Sequence, residues 1–137
     1  YLAQKGEPIH PNGLLTHNCL LQKYSLDPSH WKFHIDGKLT LFSVNGSFRA
    51  NSPRAVAQMA AGGLGIGMGP MYVVEPYIKD RSLKLLFEKS ETKGTVLNAV
   101  YPPSRHLTAR IRALIDHLAV YFAHSTTVKE SENLAPI

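Results

Sequence analysis

Glycine recurs at every second position of Gly63-Leu64-Gly65-Ile66-Gly67-Met68-Gly69, and a run of this kind can bring backbone amides close to a phosphate. That chemistry needs a strand before the glycines and a helix opening on them, so that the helix amides face the anion. Here a helical segment comes first and the glycines lie in the strand that follows. They read as a helix stop and a closely packed strand, not as a nucleotide loop. Seven histidines and one cysteine raise metal chemistry. His30 and His34 are four apart, yet the residues around them alternate as in a strand, and His17 and Cys19 adjoin a turn. Neither Cys-x-x-Cys nor His-Glu-x-x-His occurs, so no metal site is expected. Cys19 lies in an apolar run, where a buried thiol is inert. With no Gly-x-Ser-x-Gly elbow and no paired carboxylates in an apolar setting, neither catalysis nor a cofactor is expected.

A different chemistry is open to the helix that starts near Ser52. Asn51 or Ser52 supplies the N-cap, and Pro53 takes the first helical position, where its missing N–H costs nothing. Free amides at such an end suit simple capping, and they equally suit an anionic or polar ligand. Tyr24 and Ser25 end the preceding apolar strand, and ligands of open α/β sheets bind outside strand ends of this kind.

These residues need a scaffold, and the sequence outlines one. Residues 1–17 read as a helix end, a loop with Pro8 and Pro11, and a short helical turn. Cys19 to Tyr24 is short and apolar enough for a buried strand. Trp31, Phe33 and Ile35 alternate with Lys32, His34 and Asp36, and Asp36-Gly37 turns the chain into a second strand through Leu39 and Leu41. Phe48-Arg49-Ala50 closes this region as a strand end. Ala55, Val56, Met59 and Ala60 then predict a helix from Pro53 that stops at Gly62-Gly63. Leu64 to Met68 is the next strand, followed by a helix from Pro70 to about Ile78. Leu83 to Phe87 and Val96 to Tyr101 are strand candidates. Leu107, Ile111, Leu114, Ile115, Leu118 and Phe122 form the stripe of a long amphipathic helix, and the tail from His124 is expected to fray. Helices alternating with short strands give an α/β class.

Composition narrows the partners. The 137 residues, 44% hydrophobic and 18% charged, suit one globular domain, or one domain with a fragment of another. Apolar runs are too short for a membrane span, and no leader is visible at Tyr1-Leu2-Ala3-Gln4-Lys5. A single cysteine suits a reducing compartment, so a cytoplasmic location is expected. The net charge of +5 is spread evenly, with acids among the bases at Lys84, Glu88, Lys89, Glu91 and Lys93. Phosphate-backbone binding works best with clustered cations, so this segment is not expected to bind DNA directly.

Several segments together resemble the C-terminal effector-binding region of LysR-type transcriptional regulators. They are Tyr1-Leu2-Ala3 with His10-Pro11 and Leu14, His17-Asn18-Cys19-Leu20-Leu21, Trp31-Lys32-Phe33 and Arg49-Ala50-Asn51-Ser52. Ala60-Ala61-Gly62-Gly63-Leu64-Gly65-Ile66, Pro70, and Leu83 to Leu86 follow in the same order. Val100-Tyr101-Pro102-Pro103-Ser104-Arg105-His106-Leu107 and Arg112-Ala113-Leu114-Ile115-Asp116-His117-Leu118 complete the set, which extends to about residue 122.

The resemblance implies a fold like type 2 periplasmic binding proteins, with two α/β subdomains around an effector cleft. Residues 1–92 would form the second subdomain, 93–123 a crossover strand and long helix returning to the first, and 124–137 a polar tail. It implies a small polar or anionic effector in the cleft, lined by Tyr24, Ser25, Arg49, Ala50, Asn51 and Ser52. It further implies DNA binding through a winged helix-turn-helix outside this sequence, and a homo-oligomer at full length. An exported solute-binding protein with the same two-lobed cleft is the alternative. Gly67 and Gly69 stand where many relatives carry larger apolar residues, which implies a wider pocket or a looser strand.

Overall fold

Cys19–Gln22 forms strand β1 in the interior of a sheet, with a strand on either side and with Cys19, Leu20 and Leu21 all buried. Burial on both faces explains why this run does not alternate. A computed structural model describes residues 1–23, 27–90, 92–93, 100, 108–124 and 133–136. Phe48–Ala50 (β4) pairs parallel to β1 on one side, with Leu20 opposite Phe48 and Leu21 opposite Arg49. Ile66–Pro70 (β5) pairs parallel on the other side. Asn133–Pro136 (β7) then runs antiparallel to β5, and Thr92–Lys93 (β6) antiparallel to β7. The order is therefore β4-β1-β5-β7-β6.

Helix α2 (Pro53–Ala61) connects β4 to β5, and α3 (Met71–Lys79) follows β5 directly. Their apolar faces meet one side of the sheet, where Leu20 packs with Val56, Ala57, Ala60, Val74 and Leu83. Cys19 and Leu21 point to the opposite side and pack with Leu14, Trp31, Phe33, Val44 and Leu86. Strand alternation thus divides three consecutive residues between two cores.

The second core is covered by a hairpin of His30–Ile35 (β2) and Lys38–Ser43 (β3). Asp36 and Gly37 both have positive φ, 48° and 76°, as a type I′ turn requires. Trp31 and Phe33 face inward, and Phe33 meets Phe42 and Phe87 edge-to-face with centroids 5.6 and 5.7 Å apart. Two short helical pieces precede β1: α1 (Leu2–Lys5) and a 3-10 turn at Pro11–Thr16 that buries Pro11 and Leu14.

Several boundaries depart from the sequence expectation. β1 stops at Gln22 rather than Tyr24, and the Lys23 amide makes a last bond to β4 by donating to the Ala50 carbonyl at 2.7 Å. β5 begins at Ile66 rather than Leu64, since the Leu64 amide still caps α2 by donating to the Met59 carbonyl at 3.0 Å. Leu83 to Phe87 is not a strand. Leu83 anchors in one core and Leu86 in the other, so apolar character serves two anchors and not a ladder. Of 96–101 only Val100 lies within the described residues, exposed and outside regular structure. The tail is not wholly frayed, because Asn133–Pro136 inserts between β5 and β6. The long helix is present as α4 (Ala109–His124), with Ile111, Leu114 and Leu118 on its exposed surface.

Candidate functional site

β1, β4 and β5 run parallel and end at one edge of the sheet, and both α2 and α3 begin there. At the α2 start, Ser52 is extended (φ −120°, ψ 121°) and its Oγ accepts from the Ala55 amide at 3.4 Å, with Pro53 next in the chain. The capping role expected for Ser52 is therefore present. α3 starts differently: Pro70 precedes it and supplies no side-chain cap. Neither helix has an acid in its first turn. Two positive dipole ends thus face the same edge without an internal carboxylate to offset them.

Arg49, Ala50, Asn51 and Ser52 form one continuous stretch from the end of β4 into α2. Arg49 and Asn51 are exposed, and Arg49 makes no ion pair among the described residues. Ala50 packs against the core shared with α2, and its carbonyl is taken by the Lys23 amide. That bond holds the end of β1 against the end of β4. Tyr24 and Ser25, the next residues after Lys23, lie outside the described residues.

Three side chains escaped the sequence reading. Gln22 donates from Nε2 to the Met68 carbonyl at 2.7 Å, clasping β1 to β5 near this edge. Lys23 and Arg54 are exposed and adjoin the strand end and the helix start in the chain, as the exposed Arg49 does. Their signal was in the sequence: each lies within three residues of the predicted strand end or helix cap.

Gly69 does not open space at this edge. A Cβ there would meet Val74 Cγ1 at 3.3 Å, so α3 already occupies the volume that a larger residue would claim. The pocket of about 260 Å³ among Tyr1, Ala61, Gly63, Arg81 and Lys84 lies at the other end of α2, away from Ser52. Cys19 is buried, and its thiol is pushed up to about 12 by loss of solvent, which makes it a poor nucleophile or metal ligand. Among the described residues no cluster of metal-ligating side chains occurs. No described helix is long and apolar enough to cross a membrane.

In open α/β proteins, ligands bind where helices open at the carboxyl ends of parallel strands, and β4, β1 and β5 with α2 and α3 have that arrangement. The profile of the LysR substrate binding domain matches residues 1–123, and the chain belongs to that family. Its fold is accordingly of the type 2 periplasmic-binding-protein kind. The chain is 28% identical over 119 residues to the uncharacterized HTH-type transcriptional regulator YcaN of Escherichia coli, covering 86% of this chain and 38% of YcaN. It is 26% identical over 122 residues to the probable HTH-type transcriptional regulator LtrA of Klebsiella pneumoniae, covering 87% and 40%. The regulatory domain of AphB from Vibrio vulnificus superposes with a TM-score of 0.63 at 25% identity, over 88% of this chain and 60% of that one. The chain thus spans about two-fifths of the length of these two regulators.

Proposed function

We propose that this chain is the ligand-sensing part of a LysR-type transcriptional regulator and that its effector is a small anionic metabolite. The observation that carries the ligand class is the convergence of the α2 and α3 starts on one sheet edge, without first-turn acids and with the exposed Lys23, Arg49 and Arg54 near the strand ends and the α2 start in the chain. Helix amides and an unpaired guanidinium favour a carboxylate or phosphate there. Tyr24, Ser25, Arg49, Asn51 and Ser52 are the proposed contacts. Ala50 contributes position through its bond from Lys23. Residues 1–92 act as one lobe and 93–123 as the return to the other, so the effector sits between lobes. DNA binding belongs to a winged helix-turn-helix elsewhere in the protein, and the full regulator works as a homo-oligomer. The matched relatives are named as transcriptional regulators, which favours this reading over an exported solute-binding protein.

The test uses thermal shift with a panel of small carboxylates and phosphates, then effector-dependent transcription by the full regulator. Ser52→Ala removes a cap and costs about 0.5–2 kcal/mol by itself, so it cannot separate folding from sensing. Tyr24→Phe and Arg49→Gln are the cleaner variants. Both are expected to keep the melting temperature and DNA affinity while weakening the effector response. A wild-type dose response in both places the ligand elsewhere.

A further inference from the structure

Asparagine precedes glycine twice, at Asn12-Gly13 and Asn45-Gly46. A glycine leaves its amide nitrogen unshielded by any side chain, so that nitrogen can reach the carboxamide carbon one residue back. Both asparagines are exposed, and nothing local in the sequence separates them. Their backbones do. Asn12 lies inside the 3-10 turn of Pro11–Thr16, and the Gly13 amide donates to the His10 carbonyl at 2.8 Å. Helical dihedrals turn that nitrogen away from the Asn12 side chain, and its hydrogen bond must break before it can attack. Asn45 lies in the irregular connection between β3 and β4. Its carbonyl accepts from the Cys19 amide at 2.9 Å. Neither its carboxamide nor the Gly46 amide is hydrogen-bonded among the described residues. Packing also demands glycine here, since a Cβ on residue 46 would lie 1.6 Å from the Cys19 carbonyl oxygen. The fold thus keeps an unhindered, unbonded nitrogen next to an exposed carboxamide.

We propose that Asn45 is a site of spontaneous covalent modification, converting to aspartate and isoaspartate through a succinimide. The Gly46 amide nitrogen gives its proton to hydroxide and bonds to Asn45 Cγ, closing a five-membered ring. The Cγ–Nδ2 bond then breaks, and Nδ2 takes a proton from water and leaves as ammonia. Water opens the ring in one of two ways. Addition at Cγ breaks its new bond to the Gly46 nitrogen and leaves aspartate in an ordinary chain. Addition at the main-chain carbonyl carbon breaks the original peptide bond, so the chain runs on through Cγ as isoaspartate. One water is consumed and one ammonia released, and no oxidant or cofactor takes part. Either product lowers the net charge from +5 to +4. Isoaspartate also lengthens the main chain by one methylene where Gly46 crosses Cys19. Just beyond it, the Ser47 amide donates to Asn18 Oδ1 at 2.9 Å, so the added length falls beside the side chain that joins the strand approaches.

Peptide mapping of the chain after timed incubation in mildly alkaline buffer, with and without urea, tests this. Methyl transfer by a carboxyl methyltransferase selective for isoaspartate gives a second readout. In the folded chain, the peptide holding Asn45 should gain about 1 Da and resolve into aspartate and isoaspartate forms. It should do so at least about tenfold faster than the peptide holding Asn12, because the Gly13 amide reacts only after its turn opens. Urea removes both local structures, and there the two rates should converge. Asn45→Gln would need a six-membered ring and should remove most of the isoaspartate signal, whereas Asn12→Gln should leave it in place. Both side chains are exposed, so neither variant is expected to lower the melting temperature. Three results would each overturn the proposal. They are conversion of Asn12 as fast as Asn45 in the folded chain, an isoaspartate signal that survives Asn45→Gln, and Asn45 left intact in the folded chain when the unfolded chain has fully converted.

Discussion

The Asn18 side chain donates to the Leu64 carbonyl at 2.7 Å, tying the residue before β1 to the loop that leads into β5. The same carboxamide accepts from the Ser47 amide at 2.9 Å and from Ser47 Oγ at 3.2 Å. One side chain therefore joins the approaches to all three parallel strands. Asn18→Ala removes these bonds and should cost about 1–3 kcal/mol. Urea denaturation is expected to show a lower midpoint with an unchanged m-value.

Backbone crowding at the same end of the sheet sets a second expectation. A Cβ on Gly65 would lie 2.1 Å from the Asn18 carbonyl oxygen, and one on Gly46 would lie 1.6 Å from that of Cys19. Neither contact can be relieved by turning a side chain. Gly65→Ala and Gly46→Ala should each destabilise by several kcal/mol, above the ~1 kcal/mol of an ordinary substitution. Gly37→Asn has open space around its Cβ and keeps a residue tolerant of positive φ, so it should cost far less. The three midpoints measured side by side decide the matter.

Cys19 is the third case. Raising a thiol from 9.0 to about 12 lowers its thiolate fraction at neutral pH about a thousandfold. Alkylation of the native chain should be slower than that of the urea-unfolded chain by at least this factor, since burial adds a steric barrier. Mass spectrometry of iodoacetamide-treated protein reads the rate, and labelling at the unfolded rate would contradict the buried placement.

Asp27 accepts from His30 Nδ1 at 2.8 Å, and this hydrogen bond, foremost among its contacts, holds the carboxyl below its usual value of 3.8. A depressed carboxylate stabilises the fold above its unfolded pKa and loses that contribution as pH falls through the folded one. The contribution should be intact at pH 6 and fade below about pH 4. The pair is exposed, so Asp27→Asn should flatten the acid limb of the stability curve only slightly.

α4 gives the fifth expectation. Leu114, Val120 and Tyr121 are 57%, 60% and 61% exposed, whereas Val56 and Ala57 of α2 are fully buried. A helix with its apolar side uncovered gains little from tertiary packing. Native-state hydrogen exchange should show α4 amides protected less than those of α2. Equal protection would mean that the apolar side of α4 is covered in solution.

Local chemistry in the sequence determined much of this protein. The Asp36-Gly37 turn, the Ser52 cap with Pro53 and the stop at Gly62-Gly63 all appear where residue type places them, because each depends on neighbours within a turn. The family, too, was carried by short segments in register, and the profile match over 1–123 bears that out. What the sequence left open was decided by contacts between distant segments. Cys19, Leu20 and Leu21 look alike in sequence, and only the covering layers assign them to different cores. Leu83 to Phe87 carries strand-like residues, but its two anchors lie on opposite cores and leave no ladder to join. The meeting of the β1 and β4 ends has the same origin. Lys23 is brought beside Ala50 by a hydrogen bond across 27 residues of chain, and no local rule specifies that bond. Turns and caps are settled by a few neighbouring dihedrals, whereas strand neighbours and burial depend on which surfaces the whole chain brings together.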